Sequence, residues 1–214
     1  LGLAILNPGD VVLLPDPGYP VFEAGSYLGG AEVYYYPLLK ENNFLPVIED
    51  IPEDVLNKTK YIVLSYPSNP VGASAPKEMY VKMIEYAKKY NFAIINDNAY
   101  SDIIFDGREG FSFLSLPGAK DVGVEFFSLS KSYNVTGLRI SFCIGNKSII
   151  DAFKLLRSQY DFGMSYPAQK AAIAALRGPR DSVKAQCAEY QRRRDALLNG
   201  LRKYGWNVPD SHGT

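Results

Sequence analysis

Reactive and polar side chains follow several apolar runs in this sequence, at the point where each run ends. Asp97 and Tyr100 come directly after one run, and Lys131 follows the next run along the chain. If the runs are parallel strands, their carboxyl ends meet at one crevice, which is where open α/β sheets bind ligands. The side chains expected to share this crevice are Tyr19, Asn69, Asp97, Tyr100, Ser128, Ser130 and Lys131.

A lysine in such a crevice can act as a nucleophile. Partial loss of solvent makes its amine easier to deprotonate, and the neutral amine forms a Schiff base with an aldehyde. Pyridoxal phosphate (PLP) is bound in this way, and it needs a carboxylate at its ring nitrogen, a flat side chain on its ring and donors for its phosphate. Asp97 can meet the first need and Tyr19 the second. The candidate phosphate ligands are Ser128, Ser130 and Arg139.

Two other kinds of site have little support in the sequence. The single histidine, His212, argues against a Ser-His-Asp triad, and the two cysteines, Cys143 and Cys187, leave too few ligands for an ordinary zinc site. Both cysteines are expected to be reduced, buried side chains of a cytoplasmic protein. We therefore predict no metal site, and any catalysis must depend on lysine, tyrosine, aspartate or a cofactor.

The composition is that of an ordinary globular protein and indicates no charged partner. Of the 214 residues, 47% are hydrophobic, and 23 basic side chains balance 23 acidic ones. This balance predicts no binding to nucleic acid or to a membrane surface, and no apolar run approaches the roughly 18–20 residues that cross a bilayer. Because the chain begins at Leu1 without a methionine and ends soon after a helical pattern, we interpret it as a fragment of a longer protein.

Short β-type runs alternate with amphipathic stretches, a pattern typical of a mostly parallel sheet covered by helices. The predicted strands are Val11–Leu14, Glu32–Tyr36, Tyr61–Leu64, Ala93–Asn96, Gly123–Phe127 and Leu138–Ile144. A helix is predicted after the third strand, with Ser74 as its cap and Pro76 in its first turn. A long amphipathic helix near the end contains Val183 and carries three arginines, Arg192 to Arg194, as a solvated face.

Three motifs make the sequence similar to a known family. The stretch SLSKSYNVTGLR at residues 128–139 resembles the lysine signature S-x-S-K-x-x-x-x-x-G-x-R of class I/II PLP aminotransferases. The turn SNPVG at residues 68–72 resembles their N-P-T-G turn, and residues 97–100 resemble their D-x-x-Y element. The intervals between the turn's asparagine, the aspartate and the lysine, 28 and 34 residues, also suit the family. The resemblance covers essentially the whole chain.

The resemblance implies a role for each matching residue. Lys131 would carry the cofactor as a Schiff base and then move a proton, and Asp97 would pair with the ring nitrogen. Asn69 and Tyr100 would form hydrogen bonds with the ring hydroxyl, and Tyr19 would stack on the ring. The residues that would bind the phosphate are Ser128, Ser130 and Arg139.

The architecture and the partners also follow from the resemblance. The fold would be the three-layer α/β/α large domain of aspartate aminotransferase-like enzymes, with a mostly parallel seven-stranded sheet. Residues 1–180 would form this PLP-binding domain, incomplete at its N-terminus, and residues 181–214 a long helix leading to a C-terminal small domain. Family members convert an amino acid and a 2-oxo acid by ping-pong chemistry, typically as homodimers. The segment Ser158–Leu176 resembles a part near the site and the dimer contact.

The motifs imply an aminotransferase, and two alternatives stay open. The stretches NDNAYSDI at residues 96–103 and FLSLPGA at residues 113–119 resemble the branch of LL-diaminopimelate, aspartate and alanine aminotransferases. A C–S lyase or a cyclopropane-carboxylate-type synthase on the same scaffold would share the lysine signature, and a ligand-sensing domain of a transcription regulator is the other alternative. The family's phosphate-binding turn and its carboxylate-binding arginine lie outside the chain, so the fragment alone is expected to have little or no turnover.

Overall fold

A six-stranded sheet organises the chain, and a computed structural model describes all of residues 1–214. The strands are β1 (Val11–Asp16), β2 (Glu32–Pro37), β3 (Thr59–Ser65), β4 (Ala93–Asp97), β5 (Gly123–Ser128) and β6 (Ser141–Gly145). Their order is β2-β1-β3-β4-β5-β6, and all neighbours are parallel except the antiparallel β5 and β6. The mostly parallel α/β sheet is therefore confirmed. The expected count of seven strands is not, because the chain has six β-type runs and each forms one strand.

Helices cover both faces of this sheet. They are α1 (Gly2–Ile5), α2 (Val21–Leu28), α3 (Glu53–Lys58), α4 (Lys77–Tyr90), α5 (Ala119–Val122), α6 (Leu129–Ser132), α7 (Lys147–Tyr160), α8 (Tyr166–Arg177) and α9 (Asp181–Lys203). None of them combines the length and the hydrophobicity that crossing a bilayer requires.

The two faces of the sheet bury separate hydrophobic clusters, which produces three layers. On one face, Ile94 of β4 and Met83 of α4 belong to the same buried cluster. On the other face, Ile95 of β4 lies in a cluster against which Phe22 of α2 packs. Successive side chains of a strand point to opposite faces, so Asp97, two residues after Ile95, points to the layer that contains α2.

The helix predicted after β3 is present as α4, but its N-terminus differs from the prediction. Pro76 is the N-cap residue, with φ −74° and ψ 159°, so the helix begins at Lys77. Ser74 lies outside the helix, and its buried hydroxyl has no hydrogen-bond partner. The prediction that Ser74 caps this helix is therefore wrong. Pro76 occupies the N-cap position, and its side chain has no oxygen that could accept a capping hydrogen bond.

Strand β6 is shorter than predicted at its N-terminal end. Residues 136–138 form a 3-10 turn, and Arg139 has a left-handed backbone conformation with φ 52°. A left-handed residue interrupts extended structure, so pairing with β5 begins only at Ser141. The turn brings Arg139 to the cavities that Ser128 also lines, at the carboxyl end of β5.

The long helix near the end is confirmed as α9, but only two of its three arginines are solvated. Arg192 and Arg193 are exposed and form ion pairs within the helix. The Arg194 side chain is only 12% exposed. Its guanidinium donates to both carboxylate oxygens of Asp106, at 2.6 and 2.8 Å, and its Cζ lies 4.8 Å from the centroid of the Phe105 ring. Arg194 thus ties α9 to the loop after β4.

Replacing Arg194 with methionine is expected to lower the free energy of unfolding by about 2 kcal/mol at neutral pH. The loss is smaller than for a fully buried ion pair, because Asp106 is partly exposed and solvent screens it. The Arg194 guanidinium, with a smaller contribution from Arg108, lowers the pKa of Asp106 from 3.8 to about 2. The ion pair therefore stabilises the fold above pH 3.8, and its contribution is lost as the pH falls through about 2. Urea titrations at neutral pH and near pH 2 measure the difference.

The matched control for this substitution is Arg193→Met, at the adjacent position of the same helix. The Arg193 side chain is 65% exposed, so its loss should change the free energy of unfolding by less than about 0.5 kcal/mol. Equal urea midpoints for the two variants at neutral pH would contradict the structural role of Arg194.

Candidate active site

Asp97 is the last residue of β4, and its half-buried carboxylate faces the layer of α2. Its Oδ1 accepts a hydrogen bond from the backbone N–H of Ala99 at 3.2 Å. Burial raises the pKa of Asp97 above its ordinary value, while the Ala99 hydrogen bond and the charge of Lys131 act in the opposite direction. Asp97 and Lys131, which are 34 residues apart in sequence, thus lie at the ends of the adjacent strands β4 and β5.

Lys131 lies directly beyond β5, in the four-residue helix α6. Ser128 caps this helix, because its Oγ accepts a hydrogen bond from the backbone N–H of Ser130 at 3.2 Å. The Nζ of Lys131 lies 5.6 Å from the centroid of the Tyr100 ring. A cation at this distance is attracted to the ring face, so the amine is held beside the turn that follows β4.

A cavity of about 430 Å³ opens beside Asp97 at the carboxyl edge of the sheet. The predicted site residues that line it are Tyr19, Asp97, Ser128 and Arg139. Apolar side chains form most of the remaining wall, among them Ile95, Phe126 and Phe22. Apolar walls with a few converging polar groups are typical of a pocket for a small ligand or cofactor.

Lys131 and Tyr100 line a second cavity, of about 590 Å³, together with Ser130. Asp97 does not line this cavity, and Lys131 does not line the Asp97 cavity. Within the turn at residues 97–100, the Asp97 carboxylate therefore lines one cavity and the Tyr100 ring lines the other. In this conformation the lysine amine lies against Tyr100, and its flexible four-carbon side chain allows it to turn toward Asp97.

The three predicted phosphate ligands meet at a third cavity, of about 560 Å³. Ser128 and Arg139 line both this cavity and the Asp97 cavity, whereas Ser130 lines the third cavity and the lysine cavity. The Arg139 side chain is exposed, and its Nη1 donates to the Thr136 carbonyl at 3.0 Å. Its remaining N–H groups can bind an anion. Ser128 and Arg139 thus line the same two cavities, with Ser130 beside them, and their binding of a phosphate stays a prediction.

Tyr19 and Asn69 differ in how the structure places them. Tyr19 lines the Asp97 cavity, and its 47% exposed ring packs edge-on against Phe22 with the ring centroids 5.9 Å apart. An edge-on neighbour leaves a ring face available to a flat ligand, so stacking by Tyr19 stays a prediction. Asn69 is half-buried in the loop after β3, lines none of the three cavities and forms no side-chain hydrogen bond. Its contact with the ring hydroxyl of the cofactor stays a prediction.

Two residues at the site have no counterpart in the sequence predictions. Gln186 of α9 donates from Nε2 to the backbone carbonyl of Lys131 at 2.8 Å. Arg157 of α7 lines the third cavity with the candidate phosphate ligands. Neither residue belongs to a motif, and both reach the site through helix packing over long sequence separations. The sequence signal for Gln186 was only its place beside Cys187, on the apolar side of an amphipathic helix.

The whole chain matches one known family. The sequence profile described as aminotransferase class I and II matches residues 1–214. The chain belongs to the class I and II aminotransferases. Enzymes of this family depend on PLP, so the motifs at residues 68–72, 97–100 and 128–139 were assigned to the correct family. The roles of the individual residues within these motifs stay predictions.

Two curated relatives carry the same name. The LL-diaminopimelate aminotransferase of Dehalococcoides mccartyi strain 195 is 51% identical over 203 residues, which is 95% of this chain and 52% of the relative. The LL-diaminopimelate aminotransferase of Halothermothrix orenii is 43% identical over 214 residues, which is 100% of this chain and 55% of the relative. The chain therefore spans about half the length of the curated relatives it matches.

Solved structures with a similar fold include BacF and an aspartate aminotransferase. Substrate-bound BacF from Bacillus subtilis has a TM-score of 0.97 and 39% identity, over 100% of this chain and 54% of that one. The aspartate aminotransferase of Thermus thermophilus with maleate has a TM-score of 0.92 and 30% identity, over 99% of this chain and 56% of that one. Because the named relatives are aminotransferases, the lyase, synthase and sensing-domain alternatives are not favoured.

The residues beside the Asp97 cavity fit PLP. One carboxylate oxygen of Asp97 accepts a hydrogen bond from the Ala99 N–H. The other carboxylate oxygen forms no hydrogen bond within the chain. A protonated ring nitrogen would satisfy that oxygen and would offset the cost of burying the carboxylate. Ser128 and Arg139 line the same cavity and supply donors for a phosphate. The chain thus contains a carboxylate, two candidate phosphate donors and a lysine on the adjacent strand end.

Proposed function

We propose that the protein is a PLP-dependent aminotransferase that moves an amino group from an amino acid to a 2-oxo acid. One observation carries the proposal: Asp97 ends β4 and Lys131 follows the adjacent parallel strand β5, so both lie at the same edge of the sheet. Asp97 lines a cavity there together with Ser128 and Arg139. A lysine and a carboxylate in this relation are what a Schiff-base cofactor with a basic ring nitrogen requires.

Each side chain has a separate task in this proposal. When bound, PLP would supply an aldehyde that takes up the amino group and a ring that accepts electrons. Asp97 keeps the proton on the ring nitrogen, and Lys131 anchors the cofactor and then accepts and returns a proton at Nζ. Tyr100 orients the Nζ group, which lies above its ring. Ser128 and Arg139 hold the phosphate, Arg139 with its charge and Ser128 with its hydroxyl.

LL-diaminopimelate is the amino donor that we propose first. The support is that relatives with 51% and 43% identity are named for this substrate. The stretches at residues 96–103 and 113–119 resemble the same branch of the family. We place the reaction in the cytoplasm, where the two unpaired cysteines would stay reduced.

The test is product analysis with the protein made from the complete gene. It is incubated with PLP, LL-diaminopimelate and 2-oxoglutarate, and the products are identified by mass spectrometry. We expect equal amounts of glutamate and of the oxo product of the donor. Release of ammonia or of a thiol without a new amino acid would instead indicate a lyase or synthase. Residues 1–214 alone are expected to show little or no turnover under the same conditions.

We also propose that the protein is a homodimer whose contact includes α7, α8 and the loop between them. Large apolar side chains are exposed along this segment: Leu155, Tyr160, Phe162, Tyr166, Ile173 and Leu176. Exposed apolar side chains concentrated in one segment typically mark an interaction surface. A second copy is the proposed partner, because residues 158–176 resemble the part of the family near the dimer contact. Light scattering should give twice the mass of one chain, and a monomer at micromolar concentration would contradict this proposal.

A further inference from the structure

Gln186 of α9 makes a direct contact with the main chain of the candidate catalytic lysine. Its Nε2 donates a hydrogen bond to the Lys131 carbonyl oxygen at 2.8 Å, across 55 positions of sequence. Gln186 is half-buried and carries no charge, so it can set the position of the lysine backbone without adding a charge to the site.

The Lys131 carbonyl has few other partners, because α6 is a single helical turn. In a longer helix this carbonyl would accept a hydrogen bond from a residue four positions later. Here the backbone N–H of Asn134 reaches it only at 3.4 Å, which leaves Gln186 as its closest donor. A single turn is not stable by itself, so contacts from outside the turn determine where its residues lie.

Helix α9 holds Gln186 in place through contacts on both sides of it. Val183, one turn earlier, is buried, and Arg180 forms an ion pair with Asp102 at 2.5 Å. The next residue, Cys187, donates from Sγ to the Ile104 carbonyl at 3.1 Å. The same stretch of α9 therefore contacts both the lysine turn and the chain that follows Tyr100.

We propose that Gln186 is a positioning residue for Lys131, and this inference rests on the proposed function. By fixing the carbonyl of Lys131, Gln186 sets the point from which the lysine side chain extends toward the cofactor. Its effect belongs to the chemical step rather than to substrate binding, because Gln186 lines neither the Asp97 cavity nor the lysine cavity.

The test compares Gln186→Met with Gln191→Met in the PLP-loaded protein made from the complete gene. Gln191 is a matched control because it lies on the same helix and also bonds a main-chain group: its Oε1 accepts from the Asp106 N–H at 3.0 Å. Loss of one such hydrogen bond corresponds to about a five-fold change in rate. We expect Gln186→Met to lower kcat about five-fold with KM nearly unchanged, and Gln191→Met to alter kcat less than about two-fold.

Two readouts separate positioning from a general loss of structure. The visible circular dichroism of the bound cofactor should weaken in Gln186→Met and not in Gln191→Met, while the two thermal midpoints stay similar. The second readout uses cofactor-free protein, in which formaldehyde and cyanoborohydride methylate Lys131 and mass spectrometry measures the rate. This methylation rate should differ from the wild-type rate in Gln186→Met and equal it in Gln191→Met. Gln186→Glu keeps the size, removes the donor and adds a negative charge that faces the Lys131 carbonyl, so it should lower kcat at least as much as Gln186→Met.

The outcomes distinguish this inference from the proposed function. Wild-type protein that neither binds PLP nor transaminates would refute the proposed function, and the methylation rate would still report on the Gln186 contact. Normal wild-type activity together with equal kcat, circular dichroism and methylation rates in the two methionine variants would overturn the positioning role. So would a Gln186→Glu variant that keeps the wild-type kcat.

Discussion

Replacing Lys131 with alanine is expected to lower the transamination rate of the complete protein by at least about a thousandfold. In the proposed mechanism the Nζ of Lys131 both anchors the cofactor and carries the proton. The alanine variant therefore loses both functions at once. Borohydride reduction followed by peptide mapping should find the cofactor attached to Lys131 in the wild-type protein. The alanine variant should have no covalently attached cofactor and no visible absorption band from it.

The matched control for this experiment is Lys58→Ala. Lys58 is an exposed lysine of α3 and forms no ion pair, so its loss should leave both the rate and the absorption band unchanged. A Lys131→Ala variant that still traps the cofactor, or that retains a substantial part of the wild-type rate, would falsify the assignment. Residues 1–214 can be measured in parallel. If the cofactor's absorption band appears in the complete protein but not in residues 1–214, groups outside this chain are needed to hold the phosphate.

Replacing Asp97 with asparagine is expected to abolish transamination while making the cofactor-free protein more stable at neutral pH. Asparagine carries no negative charge for the ring nitrogen, so the activity should fall by at least about a thousandfold. The folded protein has to bury the Asp97 carboxylate, and burial raises the pKa of that group. Removing the charge should increase the free energy of unfolding by about 1 kcal/mol. An asparagine Oδ1 can still accept from the Ala99 N–H.

The pH dependence of this gain has a definite sign. Because the folded-state pKa of Asp97 lies above the ordinary value of 3.8, below that value the carboxyl group is protonated in both the folded and the unfolded protein. The cost of burying the charge therefore appears as the pH rises through the folded-state pKa. Urea midpoints of wild type and Asp97→Asn should coincide at pH 3 and separate toward pH 7.

The matched control for Asp97→Asn is Asp121→Asn. Asp121 has a side chain that is 71% exposed, so the same change of charge should alter the stability little. An Asp97→Asn variant that is less stable than wild type at pH 7, or one that still transaminates at a comparable rate, would contradict the role given to Asp97.

The sequence by itself determined the strands and the family, and it supplied the proposed reactive residues. Each of the six β-type runs became a strand, because a run's own hydrophobic pattern reports whether that segment is buried. The motifs around Asp97 and Lys131 lie where strands β4 and β5 end. Parallel neighbours bring those ends to the same edge of the sheet, so their proximity could be predicted without coordinates.

Only the tertiary structure decided how the side chains are divided among the cavities. Lys131 lies with Tyr100 on one cavity and Asp97 with Tyr19 on another, whereas Asn69 lines none of the three. Motif spacing cannot separate these cases, since it states which loops meet but not which way each side chain points. The 3-10 turn before Arg139 is another such feature, because a left-handed residue leaves no trace in a hydrophobic pattern.

The same limit explains the two arrangements on α9 that the sequence did not predict. Arg194 looks like its solvated neighbours until Asp106, 88 positions earlier, is placed beside it. Gln186 looks like any half-buried polar residue until the Lys131 carbonyl is found within 2.8 Å. Local periodicity depends on each segment's own burial, while contacts between distant segments depend on how helices and strands pack in three dimensions. For that reason the family could be predicted from the sequence, whereas the contacts that support the proposed site could not.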